Sequence, residues 1–188
     1  VQGKEPFTFD EPVPGGPPLV LRVVTSPHAH ARITSIDTTA ALALPGVVAV
    51  FTHLDVPETL YSTGRHEHRT DDPDDTRMLD DVVRHVGQRV AAVVAETAEA
   101  ADAGCRTVRV EYEVLPAVFD PEEARQPGAP LLHPDRTPDE RVMDAGRNVV
   151  AGFHTGHGGD IDAALASSPV TVTGEWRSSR VTHAAMET

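Results

Sequence analysis

The stretch SPHAHARI, Ser26 to Ile33, sets His28 and His30 two residues apart beside Arg32. On an extended chain that spacing puts both imidazoles on one side, close enough to share a metal ion. Two histidines make only half of a tetrahedral site, and no neighbouring Asp or Glu completes it. The pattern therefore predicts a hydrogen-bonded turn at a strand end. RHEHR repeats the spacing with His66 and His68 inside a polar, charged segment, where a metal would first have to bear the entropy of ordering the loop. DDPDD, residues 71–75, gathers negative charge but lacks the central glycine and final glutamate of a calcium loop, so it is expected to be solvated.

GHGGD, Gly156 to Asp160, follows an apolar run and opens a helical pattern, the geometry that binds phosphate at a helix N-terminus. The Asp160 carboxylate would repel that phosphate, which leaves a capped turn as the expectation. Glu175 and Glu187 have no partner carboxylate at a readable spacing, so general acid or base work cannot be argued from them. A nucleophile elbow, a P-loop and a zinc-protease helix motif are all absent from the sequence. Cys105 is the only cysteine, which rules out an intrachain disulfide, a thiolate zinc site or a four-cysteine iron–sulfur cluster built from this sequence. Within AEAADAGCRTVRV it reads as a small buried hydrophobe near a helix end. No catalytic, cofactor-binding or metal-ligating residue is therefore expected among these 188 residues. The alternative is a stand-alone metal- or ligand-binding module that uses its ten histidines.

These residues need a frame. The chain is long enough to bury an apolar core without staples. Lys and Arg total 16 against 29 Asp and Glu, a formal net charge of −13, which disfavours nucleic acid and anionic lipid as partners. No uninterrupted apolar stretch has the length of a membrane span, and no basic start leads into an apolar signal segment. With a single cysteine, a reducing, cytoplasmic setting is the expectation.

Pro- and Gly-rich residues 1–18 read as an extended arm. The apolar run 19–25 predicts a strand, ARITSIDT a second, and VVAVFT a third, with a short helix through TAALAL between the last two, capped by Asp37 or Thr38 and stopped at Pro45-Gly46. Residues 57–81 lose apolar periodicity and read as a long surface loop. VVRHVGQRVAAVVAE predicts two strands joined near Gly87, where glycine supplies a positive-φ turn or a close backbone approach. Thr97 then caps a helix with acidic residues early and Arg106 late, and VRVEYEVL alternates Val108, Val110, Tyr112 and Val114 on one face. After a polar connection over 116–147, NVVAGFHTG predicts a strand, Asp160 caps IDAALAS, and PVTVTGEWRSS predicts a last strand. The succession is mixed α+β, with one or two helices packed on a sheet.

The strings LRVVTSPHAHARITSIDTTAALALPGVVAVFT and VRHVGQRVAAVVAETAEAADAGCRTVRVEYEVLPAVFDPEEA, followed by NVVAGFHTG, GDIDAALA and VTGEWRSSRVTHAAMET, resemble in order the start of the molybdenum hydroxylase large subunit. That is the xanthine dehydrogenase and aldehyde oxidase family, and the matching part is its α/β hammerhead domain. The resemblance implies an α+β hammerhead with a mixed sheet and one or two main helices over residues 19–135, after the arm 1–18. A linker over 136–147 and a strand–helix–strand over 148–188, leading into the first molybdopterin-binding domain, complete the implied organisation. In the whole enzyme it implies oxidative hydroxylation of purines or aldehydes, with molybdopterin-bound molybdenum, iron–sulfur clusters and FAD. The partners of this piece would be the remaining cofactor domains and the iron–sulfur and flavin parts, and its own role would be scaffold. His85, Arg89 and Ala185 depart from the family's usual aromatic, proline and proline.

Overall fold

Runs of Val, Ile and Ala supply the strands. A computed structural model describes residues 14–63, 73–152, 156 and 158–179 of the chain. Strands β1 (Val20–Thr25), β2 (Ala31–Asp37), β3 (Val47–Phe51), β4 (Val82–Val83), β5 (Arg89–Ala95) and β6 (Arg109–Val114) alternate with helices α1 (Thr39–Leu42), α2 (Ala98–Thr107) and α3 (Pro121–Ala124). This is the expected α+β class. The strands form two antiparallel sheets, ordered β1-β5-β3 and β4-β2-β6.

Two apolar clusters make the core. Ala31, Ile33, Val83 and Val90 form one, and Ala41, Ala91, Val93 and Val108 the other; Val24, Ile36 and Val110 pack against both. Because side chains alternate across a strand, Ala91, Val93 and Ala95 of β5 share a side with Val24, Arg22 and Val20 of β1, their register partners. That side takes α2: Arg22 Nε lies 3.3 Å from the Asp102 carboxylate of the helix. As expected, the Thr97 hydroxyl caps α2, accepting from the Ala100 N–H at 3.2 Å, with Glu99 in the first turn and Arg106 in the last. Gly104 lets the helix approach the sheet, since a Cβ there would stand 2.7 Å from Val93 Cγ1. Gly87 has φ of +86° with open space around its Cα, so of the two roles expected for it the structure takes the turn.

The opposite side of the first sheet is covered only in part, by Val56, Met78 and Leu79. Leu21 pairs with Val94 and Ala49 with Val94, and Val23 pairs with Ala92 and Phe51 with Ala92, giving two apolar rows across three strands. Leu21 is 54% exposed, Val23 39% and Phe51 41%.

Several expectations fail. Helix α1 covers Thr39–Leu42 only; the Asp37 carboxylate accepts from the Thr39 N–H at 2.9 Å, whereas the Thr38 side chain makes no capping bond. Residues 73–81 are not a solvated loop: Pro73, Leu79 and Asp80 are buried, and Tyr61 and Thr76 form a β-bridge. The described part of the expected strand at 148–156 is not a strand. It holds one bridge, between Asp144 and Val149, because Asn148 adopts φ of +55° and uses its side chain to tie three backbone groups.

Of the described residues, 18–152 form one compact unit, and 14–17, 156 and 158–179 belong to a second. In the second, helix α4 (Ile161–Ser167) is capped by Asp160, whose carboxylate accepts from the Ala163 N–H at 3.0 Å. Described residues 169–179 do not form the expected strand: Val170, Val172 and Trp176 are all exposed, and the segment has no ladder partner among the described residues. No helix among the described residues is long and apolar enough to cross a membrane.

Candidate functional site

The two histidines of SPHAHARI lie in the turn between β1 and β2, not on a strand. The Ser26 hydroxyl accepts from the His28 N–H at 3.0 Å, and Ser26 is itself tied to the β4–β5 turn: its N–H donates to Gln88 O at 2.9 Å, and Gly87 N–H donates to Ser26 O at 2.8 Å. His30 is 7% exposed and its Nδ1–H donates to Pro116 O at 2.6 Å, which fixes the tautomer because a carbonyl only accepts. The His28 ring stands edge-on to Tyr112 with centroids 4.8 Å apart. Burial raises the Tyr112 phenol above its ordinary pKa, with an opposing hydrogen bond from Ser26. Each imidazole thus serves a different neighbour, and the turn is held by hydrogen bonds as the sequence predicts.

The other singled-out groups are also spread apart. Asp74 of DDPDD makes a two-pronged ion pair with Arg141, at 2.6 and 3.2 Å, so this part of the acidic run is fastened rather than solvated. Glu175 pairs with Arg177 at 2.6 Å. Cys105 is half-buried on α2 beside the second apolar cluster, and burial, with the nearby Asp102 charge, raises its thiol pKa away from reactive thiolate. His66, His68, Asp71, Asp72, His157 and Glu187 lie outside the described residues. Among the described residues, no three His, Cys, Asp or Glu side chains converge where they could hold a metal ion.

The densest polar site is one that the sequence does not announce. Asp80, with a side chain 6% exposed, takes Arg84 Nη1 at 2.6 Å and Arg77 Nη1 at 3.7 Å, and accepts from the Val82 N–H at 3.3 Å. Burial pulls the Asp80 carboxyl pKa up, but the Arg84 hydrogen bond and charge, with help from Asp81 and the Val82 amide, outweigh it and hold the group below its ordinary value. Arg84 in turn donates through Nε to Leu132 O at 2.7 Å, pinning the 131–136 segment beside β4. Arg136 from that segment is also buried and pairs with Asp135 at 2.9 Å. His133 is held below its usual pKa, first by burial and then by the Arg84 charge. These groups line two adjoining clefts of about 300 and 380 Å³ that share Arg77, Asp80 and Arg84. Three nitrogens here, Arg77 Nε, His133 Nδ1 and Arg136 Nε, are buried without a hydrogen-bond partner among the described residues. The one signal in the sequence was the Asp80/Arg84 spacing, which reads as a helical pair yet here joins a loop to a point just past a two-residue strand.

The family model described as the aldehyde oxidase and xanthine dehydrogenase a/b hammerhead domain matches residues 2–116, and the chain belongs to that family. It is 37% identical to the probable hypoxanthine oxidase XdhD of Escherichia coli (strain K12) over 195 residues, covering 90% of this chain and 20% of that protein. The carbon monoxide dehydrogenase large chain of Hydrogenophaga pseudoflava is 35% identical over 192 residues, covering 100% of this chain and 23% of its own length. Among solved structures, the aldehyde oxidoreductase of Desulfovibrio gigas superposes with a TM-score of 0.63 at 33% identity, over 82% of this chain and 16% of that one. The chain thus spans about a fifth of the length of the curated relatives it matches.

Proposed function

We propose that these residues are the hammerhead scaffold of a molybdenum-dependent hydroxylase, acting on a purine or aldehyde in the cytoplasm. In that reading the arm covers residues 1–18, the hammerhead 19–135, the linker 136–147, and residues 148–188 lead into the first molybdopterin-binding domain. Molybdopterin, iron–sulfur clusters and FAD are held by other parts of the enzyme, which are this piece's partners. The residues of this chain do not fit those groups. One cysteine cannot ligate an iron–sulfur cluster, and the described side chains assemble no metal ligand set.

The observation that carries the reading is the incompletely covered apolar side of the β1-β5-β3 sheet. A sheet face wants cover, and the rows Leu21/Val94/Ala49 and Val23/Ala92/Phe51 are apolar while still reached by solvent. The test is Phe51→Asp in the full-length parent enzyme and in the 188-residue chain. Because Phe51 is 41% exposed, the chain alone keeps its secondary structure and loses about 1–2 kcal/mol of stability. The parent loses assembled, molybdenum-loaded enzyme by at least about tenfold, as a buried uncompensated charge requires. Undiminished molybdenum content and turnover in the parent variant refute the scaffold reading.

A further inference from the structure

The partly covered side of the β1-β5-β3 sheet is a cleft rather than a flat face. Val23, Ala92 and Phe51 form its floor and Val56, Met78 and Leu79 a wall, enclosing about 340 Å³. Leu79 is buried and Met78 is 52% exposed, so the wall is rooted in the core while its rim meets solvent. Beyond the cleft the apolar row Leu21/Val94/Ala49 runs on across all three strands. That surface is wider than a small ligand covers, and polypeptide is what covers such patches.

The mouth of the cleft carries a cation without an ion pair. Arg89 is exposed at the start of β5, and its guanidinium donates to the neutral Tyr61 hydroxyl at 3.1 Å and, among the described residues, to no carboxylate. The carboxylates that share its surroundings are turned elsewhere. Asp55, on the same cleft, accepts from the Thr52 N–H and from the Thr52 hydroxyl, both at 2.8 Å. Asp75, which lines the adjoining cleft with Arg89, accepts from the Thr76 hydroxyl at 2.8 Å. Both acids are thus engaged by their own turns, while the planar fork of Arg89 keeps donors that match a carboxylate from outside.

We propose that the occupant of this cleft is a segment of the parent polypeptide outside these 188 residues, one that lays apolar side chains on Phe51 and Met78 and sets an Asp or Glu against Arg89. The proposal rests on the scaffold reading of this face and adds the chemistry of what covers it.

The parent enzyme carrying Arg89→Lys is treated with a water-soluble carbodiimide, which joins an amine to a carboxylate only where the two touch. Arg89 is exposed, so the substitution keeps both charge and fold. Lys4 is the one lysine among these residues, so an amide at position 89 is read directly from the linked peptides by mass spectrometry. In a second sample of the parent, photo-methionine replaces methionine, and light drives the Met78 side chain into whatever lies on it. The expected products are an amide from position 89 to an Asp or Glu outside residues 1–188, and a Met78 insertion into that same segment. Arg89→Gln, which brings no amine, loses the first product and keeps the second. The proposal is overturned if position 89 links to Asp55, Asp75 or any other carboxylate of residues 1–188 in the same or a second copy. No amide at all, or Met78 insertion into a different segment, overturns it equally. Phe51→Asp separates the two readings. Loss of molybdenum-loaded enzyme without an outside amide overturns this proposal and leaves the scaffold standing, whereas an outside amide with undiminished molybdenum supports the contact and removes the scaffold role.

Discussion

Asn148 ties together the segment that follows the hammerhead strands, and removing its side chain separates two effects that the structure superimposes. Its Oδ1 accepts from the Leu132 N–H at 2.9 Å, while Nδ2 donates to Ala124 O at 2.8 Å and to Pro130 O at 2.9 Å. Its backbone has φ of +55°, a region that non-glycine residues other than Asn and Asp rarely enter. Asn148→Gly deletes the three hydrogen bonds and keeps the backbone relaxed. At about 1 kcal/mol net for each bond, it costs about 3 kcal/mol. Asn148→Ala deletes the same bonds and adds the left-handed penalty, about a further 1 kcal/mol. Urea unfolding followed by circular dichroism measures both, with the order wild type, then Gly, then Ala in falling midpoint. An alanine variant as stable as the glycine variant refutes the backbone argument. Losses under about 1 kcal/mol in both refute the hydrogen-bond argument.

Gly104→Ala gains roughly 1 kcal/mol of helix propensity but drives a Cβ to 2.7 Å from Val93 Cγ1, an overpacking that costs about 1–3 kcal/mol. The variant therefore unfolds at lower urea than wild type, and Val93→Ala in the same chain relieves the clash; a stabilised Gly104→Ala contradicts the close helix–sheet contact. Asp80→Asn strands the Arg84 cation in a buried site and costs about 3–5 kcal/mol at neutral pH. The folded-state pKa of Asp80 lies below its ordinary value of 3.8, so its contribution is complete above that value and is lost as pH falls through the folded pKa. The stability gap between wild type and variant accordingly begins to narrow only as pH falls below 3.8 and narrows further through the folded pKa, and a gap that stays constant with pH rules out the carboxylate as its source.

The parts of the fold that local chemistry decides were readable without coordinates. The Val-rich runs of β1 and β5, the Thr97 cap with Glu99 and Arg106 at the ends of α2, and the positive φ at Gly87 each depend on residues within one turn or one strand. The Ser26 turn that holds His28 was legible for the same reason. Asn148 was read as the start of a strand because its three partners are 16 to 24 residues away. The Asp80 site was missed because Arg84, Leu132 and Arg136 meet only after the polar connection folds back on β4, and no apolar period marks a segment held by ion pairs. The segment at 169–179 has strand composition but, among the described residues, no partner edge, and composition alone cannot supply hydrogen bonds.

On the proposed scaffold reading, the redox centres belong to other polypeptide and these residues are framework. Mass-spectrometric molybdenum analysis, with purine and aldehyde turnover assays, on the 188-residue chain expressed in a host that makes the pterin cofactor tests it most directly. The account predicts molybdenum far below one atom per chain and no turnover. One molybdenum per chain, or hydroxylation of either substrate by this chain alone, contradicts it.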